Sequence, residues 1–522
     1  MAIRKSRSQT NIKKHYVSYH KKSNRHVVVF EADISEDEKR RIFSDADHLR
    51  QCGNELLGIM ERNLEQLLRT KRYRALQKLY GKVSDPIHAL EKKEVLSDEE
   101  TQKLNHLKKE RAELTNSMNK MRESYQVTWD FCRTKMMELK EAYHLQSIFA
   151  LSRAEDIWAA IETILYSSGR KLHFKKRGDL PEIRAKQSTR GLVIDSSQSG
   201  LIVKYGKVTI PCKYKAKDLW LWDEEKAILA YLAEPELQDA YAVDQMSKGI
   251  ITDTFRPCFA SLVCKKIRGR LRVYVHITVE GKAISKRRKD STPRHYYGKG
   301  NIGCDIGTQT IAYTSNTEVG LENLAERGNS IQHVERQEAL ILRAMERSRR
   351  AMNPNHYNEN GTVKKGHKQW NFSKRYQKLR QRHQELCRIA AENRALAIRE
   401  QVNHLRSLGD CFITEPPNAK KLQKRANPEN PVDKNGRMKL KKRFGRSIKN
   451  RCPGYLQAKA KQLFESTGGM YVEVPILYRA SQYDHTSDTY IPKKLISANV
   501  SSDRRNKGSK RLVFLLLTVL YQ

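Results

Sequence analysis

The alternation of apolar and polar residues predicts a strand followed by long helices in the first third of the chain. Residues 25–34, RHVVVFEADI, have the β-branched, apolar character of a strand. Ser35 and Glu38 then have the spacing of a capping box, which begins a helix. A second box at residues 97–100, SDEE, begins another amphipathic helix that we expect to continue through Met118–Met137. The apolar stripe of the first helix consists of Leu49, Leu56, Leu57, Met60, Leu64, Leu67 and Leu68.

The apolar period changes to two at about residue 170, which predicts a small β-domain. Gly200–Pro211 and Cys258–Ile267 are predicted strands, and Arg268–Arg270 is a predicted turn. The strand after this turn alternates without a break at Leu271, Val273, Val275, Ile277 and Val279. Together these strands predict a barrel, which the N-terminal strand would complete. Trp220 and Trp222 could stack nucleotides, although core or rim positions are the simpler interpretation.

Two short apolar strands each bring a carboxylate to their end. Asn301–Ser315, NIGCDIGTQTIAYTS, predicts a two-stranded ribbon with Asp305 at its centre and a tight turn at Gly307. Cys411–Glu415, CFITE, is another apolar strand that ends in an acid. Two strand-borne acids in a basic chain suggest a magnesium site that cuts nucleic acid. The alternative for Asp305 is a buried, hydrogen-bonded carboxylate in an ordinary sheet.

A mostly helical stretch, residues 334–408, separates the two acid-bearing strands. Pro354–Trp370 is the predicted loop between its two helices. Lys420–Arg451 is rich in Lys, Arg, Gly, Pro and Asn, which predicts a mobile segment that contacts nucleic acid. Gly468–Pro475 is a further predicted strand. The apolar face of the second helix is predicted to hold Leu379, Leu386, Ile389, Leu396, Val402 and Leu405.

The charge balance indicates a polyanionic partner. The 522 residues include 100 Lys and Arg against 59 Asp and Glu, a formal net charge of +41. A compact protein with that excess repels itself unless a polyanion neutralises it, so nucleic acid is the expected partner. An acidic membrane surface is the alternative. The nine cysteines have no two-residue spacing, which predicts reduced, mostly buried thiols rather than disulfides or a zinc knuckle. We expect a soluble, cytoplasmic protein, since neither the N-terminus nor residues 512–520 have the apolar length of a signal peptide or membrane span.

These elements occur in the order found in a known family. GCDIGTQTIAYTS, WNFSKRYQKLRQRHQELCR, FITEPPN, and GGMYVEVP followed by ASQYDHTSDTY resemble segments of TnpB-type transposon nucleases and the related compact type V CRISPR effectors. The resemblance covers most of residues 300–490 in its motifs and residues 1–300 only in architecture. It implies a bilobed α+β multidomain protein, with a helical recognition domain inserted in a small β-barrel (wedge) domain. An RNase H-like (RuvC) α/β nuclease domain with a helical insertion would follow.

The resemblance also implies an activity. Asp305 and Glu415 match the family's first two catalytic acids, which would coordinate a pair of Mg²⁺ (or Mn²⁺) ions. The chain would then be a guide-RNA-directed DNA endonuclease, whose specificity comes from base pairing. The alternatives are a guide-RNA-dependent DNA-binding protein without cleavage, and a DNA-strand transferase that acts without RNA. The residues predicted to contact nucleic acid are Trp370, Lys374, Arg375, Arg380, Arg382, Lys420, Lys421, Arg443 and Arg446.

The implied divisions follow the same comparison. They are 1–35 (basic N-terminus and first wedge strand), 36–168 (helical recognition domain), 169–298 (wedge barrel, ending in the basic linker 285–298), 299–333 and 409–495 (two parts of the nuclease domain), 334–408 (helical connection) and 496–522 (an atypical tail).

The chain departs from the family in two places. It lacks the paired CxxC motifs of a zinc ribbon, so we expect no bound zinc. It also lacks a terminal RDxxSAxL-type segment with a third acid; Asp484, Asp488 and Asp503 are available carboxylates without that context. Codons can be chosen for residues 496–521 that read RDLYS one base later, with its Asp overlapping the codon of Arg511. The hypothesis is that a frameshift near Leu495 replaced the native tail.

Overall fold

The computed structural model describes residues 25–91, 97–166, 169, 171–236, 255–281, 283–327, 331–415, 445–474, 483–484 and 489–490. The chain is a mixed α/β protein that divides into two compact units, at residues 1–284 and 285–522. None of the helices in these described ranges is long and apolar enough to cross a membrane. All nine cysteines lie in described ranges and are free thiols, five of them buried, as predicted.

Five helices follow the first strand in the first unit. Both predicted capping boxes are present, at Ser35 and at Ser97. The predicted continuous helix through Met118–Met137 is wrong, because the chain turns at Gln126, whose φ is +55°. Thr128 then caps a new helix by accepting a hydrogen bond from the Phe131 amide. The helices are α1 Glu36–Arg69, α2 Lys71–Leu90, α3 Asp98–Ser124, α4 Trp129–Ala142 and α5 Ser147–Tyr166.

The first unit also contains a seven-stranded, half-barrel sheet in the order β2-β6-β7-β1-β5-β4-β3. Its strands are β1 Arg25–Ala32, β2 Ile183–Arg184, β3 Leu192–Ser197, β4 Gly200–Tyr205, β5 Val208–Lys213, β6 Arg256–Ile267 and β7 Arg270–Glu280. β1 pairs with β7 and β5, so the N-terminal strand joins this sheet as predicted. The single strand predicted at Gly200–Pro211 is wrong, since the chain turns at Gly206 and forms β4 and β5. The β6–β7 turn is as predicted, with positive φ at Arg268 and Gly269.

A helix that the sequence reading missed, α6 at Leu219–Ala233, packs against this sheet and carries both tryptophans. Trp220 packs against the core and donates from Nε1 to the Ile284 carbonyl at 2.9 Å. Trp222 is 39 % exposed, and Lys226 Nζ lies 3.6 Å from the centre of its ring. Trp220 therefore has a structural role, whereas part of the Trp222 ring is accessible to solvent.

The second unit is built on a five-stranded mixed sheet, ordered β10-β9-β8-β11-β12. β8, β11 and β12 are parallel, and β9 and β10 run antiparallel to their neighbours. Helices α8 (Lys374–Leu408) and α10 (Pro453–Ser466) cover one face, where Ile302, Phe412 and Phe464 lie in the core. The strands are β8 Asn301–Ile306, β9 Thr310–Thr314, β10 Val319–Asn323, β11 Cys411–Thr414 and β12 Met470–Glu473, with a separate pair β13 Tyr483–Asp484 and β14 Thr489–Tyr490. The helices are α7 Ile331–Met352, α8 Lys374–Leu408, α9 Gly445–Arg451 and α10 Pro453–Ser466.

Helix α8 has two packing partners. Its first half forms a hairpin with α7, and its second half lies on the sheet. Five of the six predicted face residues are buried or half-buried, but Leu396 is 51 % exposed. Ala397 and Ile398 are buried instead of Leu396, and they lie about 100° and 200° around the helix from it. The segment predicted to be irregular, Lys420–Arg451, forms helix α9 at its end, while its residues 420–444 lie outside the described ranges.

Candidate metal and nucleic-acid sites

The two predicted acids lie at the ends of neighbouring parallel strands. The register of β8 and β11 pairs Cys304 with Thr414, and Asp305 and Glu415 are the residues that follow. Adjacent strands are about 4.8 Å apart, so the two acids leave the sheet at the same level. The sheet thus brings together two residues that are separated by more than a hundred positions in the sequence.

The acids are directed away from the helical core. Cys304 is fully buried and Thr414 is 1 % exposed, on the side of the sheet covered by α8 and α10. Successive strand residues point to opposite faces, so the side chain of Asp305 lies on the other face. Asp305 is half-buried and Glu415 is exposed. Burial, and then the charge of Asp305, raise the pKa of the Cys304 thiol well above its ordinary value, which keeps that thiol protonated.

Hydrogen bonds fix the backbone at Glu415 and at the turn that follows Asp305. The Gln457 side chain of α10 donates from Nε2 to the Glu415 carbonyl at 3.3 Å. The Val474 amide donates to the Thr414 carbonyl at 3.0 Å, continuing the pairing of β12 with β11. At the ribbon turn, the Gly307 amide donates to the Thr310 carbonyl at 2.9 Å, which closes the predicted hairpin. Both acids are therefore carried by ordered backbone.

A buried arginine ties together the starts of the two acid-bearing strands. Arg406, which is 4 % exposed, donates from Nη1 to the carbonyls of Gly298 at 2.8 Å and Gly409 at 2.9 Å. Its Nε donates to Thr467 Oγ1 at 2.8 Å, and its guanidinium lies 4.8 Å from the ring centre of Tyr297. Gly298 precedes β8 and Gly409 precedes β11, so one side chain hydrogen-bonds to the backbone immediately before both strands. Burial lowers the pKa of Arg406, although its ordinary value is so high that the charge remains.

Apolar side chains on the outer strands flank the acids on the same face of the sheet. Leu321 pairs with Ala312, the partner of Asp305, and is 57 % exposed. On the opposite side, Val472 of β12 is 41 % exposed. No third carboxylate joins Asp305 and Glu415 in a three-ligand group within the described ranges. Of the available acids, Asp484 lies in the short strand β13, while Asp488 and Asp503 lie outside those ranges, as does the hypothesised frameshifted tail.

A second polar cluster lies on the covered side of the sheet, below β9 and β10. The Tyr313 hydroxyl lies 2.6 Å from a Glu318 carboxylate oxygen and 3.0 Å from a Glu322 one, and its single hydrogen is shared between them; His404 Nε2 of α8 lies 3.1 Å from Glu318 Oε1. The hydrogen bond from Tyr313 is the main cause that lowers the pKa of Glu318. Burial acts to raise the pKa of Glu322, but the hydrogen bond and charge of Arg327 outweigh it and lower that pKa. This cluster ties α8 to the hairpin and is structural.

Four of the predicted nucleic-acid contacts are exposed cations in the first half of α8. Lys374, Arg375, Arg380 and Arg382 have no hydrogen-bond or ion-pair partner in the part of the chain that is described. Beside them, Phe372 is 38 % exposed and stacks on Tyr376, with ring centres 4.4 Å apart. Exposed cations next to an aromatic face are the combination that binds phosphate and stacks bases.

Trp370 has a packing role, and the side chains of the four remaining predicted nucleic-acid contacts are not described. The Trp370 ring meets His356 edge-on at 5.0 Å, and the Arg349 guanidinium lies 4.7 Å from its centre. The indole therefore anchors the loop to α7. Lys420, Lys421 and Arg443 lie outside the described ranges, and of Arg446 only the backbone, in α9, is described.

The sequence reading also missed a Glu–His–Cys group between α7 and α8. Glu338, His383 and Cys387 each bring one ligand atom to within 4.8 Å of the other two. His383 and Cys387 are four residues apart on one helix, and that spacing was the available signal.

Comparison with known proteins leaves the family open. No family model matches the chain, and no curated protein is significantly similar to it.

Proposed function

We propose that the chain is a guide-RNA-directed DNA endonuclease with a divalent-cation site at Asp305 and Glu415. The observation that carries the proposal is the register of β8 and β11, from which the two acids leave neighbouring parallel strands at one level. Ligand sites in sheets with parallel strands commonly lie beyond the carboxyl ends of those strands. A mixed sheet whose two central strands each bring an acid is also what the proposed RNase H-like domain requires.

The donor set fits a hard cation. Both side chains supply oxygen atoms, and the exposure of Glu415 leaves room for water and phosphate. When bound, Mg²⁺ would supply Lewis-acid stabilisation of the phosphate and a lowered pKa for the attacking water. Asp305 and Glu415 would hold the cations, and the fixed backbone around Glu415 would keep its carboxylate aligned. No covalent protein nucleophile is needed.

Charge supports nucleic acid as the substrate. The net charge of +41 and the exposed cations of α8 favour binding along a phosphate backbone. In this proposal the half-barrel and helices of the first unit are the wedge and recognition domains, which grip guide RNA and heteroduplex through backbone shape and charge.

A specific observation favours a second candidate, a guide-RNA-dependent DNA-binding protein with weak or no cleavage. No group of three mutually close ligand atoms in the described ranges includes Asp305 and Glu415, and the lack of one metal ligand would misplace the attacking water. In this candidate the exposed cations in the first half of α8, which belong to neither acid-bearing strand, would still bind nucleic acid.

The test is Mg²⁺-dependent cleavage by protein purified with its co-expressed RNA. The first proposal predicts DNA cleavage that EDTA and RNase treatment each abolish, and that Asp305→Asn reduces at least about 100-fold, since even outer-shell changes cost 10–100-fold. Glu359→Gln, an exposed acid in the α7–α8 loop, is the matched control and should cleave normally. Target binding without any product supports the second candidate. Cleavage that persists after RNase contradicts both.

A further inference from the structure

Two polar side chains interrupt the apolar contact between α7 and α8, and the exposed thiol of Cys387 lies beside them. On α7, Glu338 stands between Val334 and Ile341, which are buried, and on α8, His383 stands between Leu379 and Leu386. The side chains of Glu338 and His383 are only 28 % and 23 % exposed. Polar groups withdrawn from water in an apolar seam are unfavourable unless a partner compensates them. Glu338 and His383 compensate each other directly, since His383 Nε2 lies within hydrogen-bond distance of Glu338 Oε1, and this pair places two metal-ligand atoms side by side in the hairpin.

The distances between the three donor atoms are those of a tetrahedral metal site. His383 Nε2 lies 3.3 Å from Glu338 Oε1, and Cys387 Sγ lies 3.6 Å from the same nitrogen and 3.8 Å from the same oxygen. With bonds of about 2.0 Å to nitrogen and oxygen and about 2.3 Å to sulfur, a tetrahedron has edges of about 3.3 Å between N and O and about 3.6 Å to S. The three separations therefore lie within about 0.2 Å of the edges of one tetrahedral face.

The donor types select the ion. A thiolate and an imidazole are poor ligands for Mg²⁺ but favour Zn²⁺ and similar borderline ions. Three protein ligands leave a fourth position, and Cys387 is exposed, so water can reach it. Burial, and then the charge and hydrogen bond of Glu338, raise the pKa of the Cys387 thiol, and the charges of Lys449 in α9 and Arg394 in α8 offset only part of that effect.

We propose that Glu338, His383 and Cys387 bind one Zn²⁺, which links α7 to α8, against the expectation of no zinc that follows from the missing CxxC pairs. The ion replaces the thiol proton of Cys387, and that proton leaves to solvent, so binding is coupled to proton release. The linked hairpin holds the exposed cations of α8 in a fixed orientation relative to α7. This site uses none of the residues proposed for the nuclease centre and does not depend on the proposed function.

The test is titration of the full-length, reduced and chelator-treated protein with Co²⁺, a spectroscopic probe for zinc sites. We expect one equivalent to produce a thiolate-to-cobalt charge-transfer band and the visible bands of a tetrahedral ion. Cys387→Ser should remove the charge-transfer band, and His383→Ala should weaken Zn²⁺ binding at least about tenfold. Cys258→Ser, a half-buried thiol of the first unit, is the matched control and should behave as the unmodified chain does.

A second measurement is independent of the folding of any variant. In the unmodified chain, Zn²⁺ should slow the alkylation of Cys387, as located by mass spectrometry. Zn²⁺ should also raise the melting temperature of the protein. A charge-transfer band that is absent, or that survives in Cys387→Ser, overturns the proposal. So does alkylation of Cys387 at the same rate with and without Zn²⁺, which would show that the trio is a hydrogen-bonded cluster only.

Discussion

Replacement of Arg406 by Met should destabilise the sheet that carries Asp305 and Glu415, and by more than the loss of an exposed arginine on the same helix. The guanidinium donates to three backbone carbonyls and to the Thr467 hydroxyl, at distances between 2.8 and 3.3 Å. Charge-assisted hydrogen bonds contribute about 1.5–3 kcal/mol each, but desolvation of a buried cation offsets part of that gain. Because methionine can fill the space but cannot donate, we expect a loss of about 3 kcal/mol in unfolding free energy.

Arg388→Met is the matched control on the same helix. Its guanidinium pairs with Glu385 and Glu392 one turn away on either side, within α8. Such helix-surface pairs stabilise by about 0.3–0.5 kcal/mol each, so the control should lose about 1 kcal/mol or less.

Urea unfolding of the full chain gives the difference in stability, and hydrogen exchange of residues 298–306 and 409–415 shows where it acts. Arg406→Met should lower the unfolding midpoint and speed exchange in both segments. If its midpoint matches that of Arg388→Met, or exchange in these segments is unchanged, the role assigned to Arg406 is wrong.

Two further predictions concern pH and salt. The folded-state pKa of Glu318 is lowered chiefly by Tyr313, so this stabilisation is present above the unfolded pKa of about 4.3 and is lost as the pH falls through the folded value. At pH 7, Tyr313→Phe should therefore unfold at a lower urea concentration than the unmodified chain. The difference between the two unfolding midpoints should become smaller below about pH 4.3, and a difference that is the same at every pH contradicts this. Replacing Lys374, Arg375 and Arg382 by Gln should reduce the slope of log affinity against log salt for nucleic acid by about 2 to 3, whereas the charge-conserving Lys/Arg exchange should not. An unchanged slope would remove these three side chains from the interface.

Features that depend on neighbouring residues could be predicted from the sequence. The capping boxes at Ser35 and Ser97 follow from a three-residue spacing, and the alternation along β7 follows from its own period. The break at Gln126 could not be predicted, because no Gly or Pro marks it. Leu396 was assigned to the wrong face because a single-residue step changes the helical angle by about 100°.

The candidate sites depend on contacts that are distant in the sequence. The chain shows that Asp305 and Glu415 each end an apolar strand, but the parallel register that brings them to one level depends on tertiary pairing. The Glu–His–Cys group was missed for the same reason. Its glutamate, Glu338, lies on the other helix of the hairpin, 45 residues from His383. The sequence alone therefore gives no sign that Cys387 has neighbouring metal ligands beyond His383.

The most direct test of the central claim is the rate of Mg²⁺-dependent DNA cleavage by Asp305→Asn, Glu415→Gln and the double variant, each loaded with guide RNA. If both acids hold one metal site, each single change should abolish most of the rate, and the double change should cost little more, since residues that act as a unit are not additive. All three variants should still bind the target. Cleavage by either single variant at the rate of the unmodified chain, or strictly additive losses, would contradict a shared site.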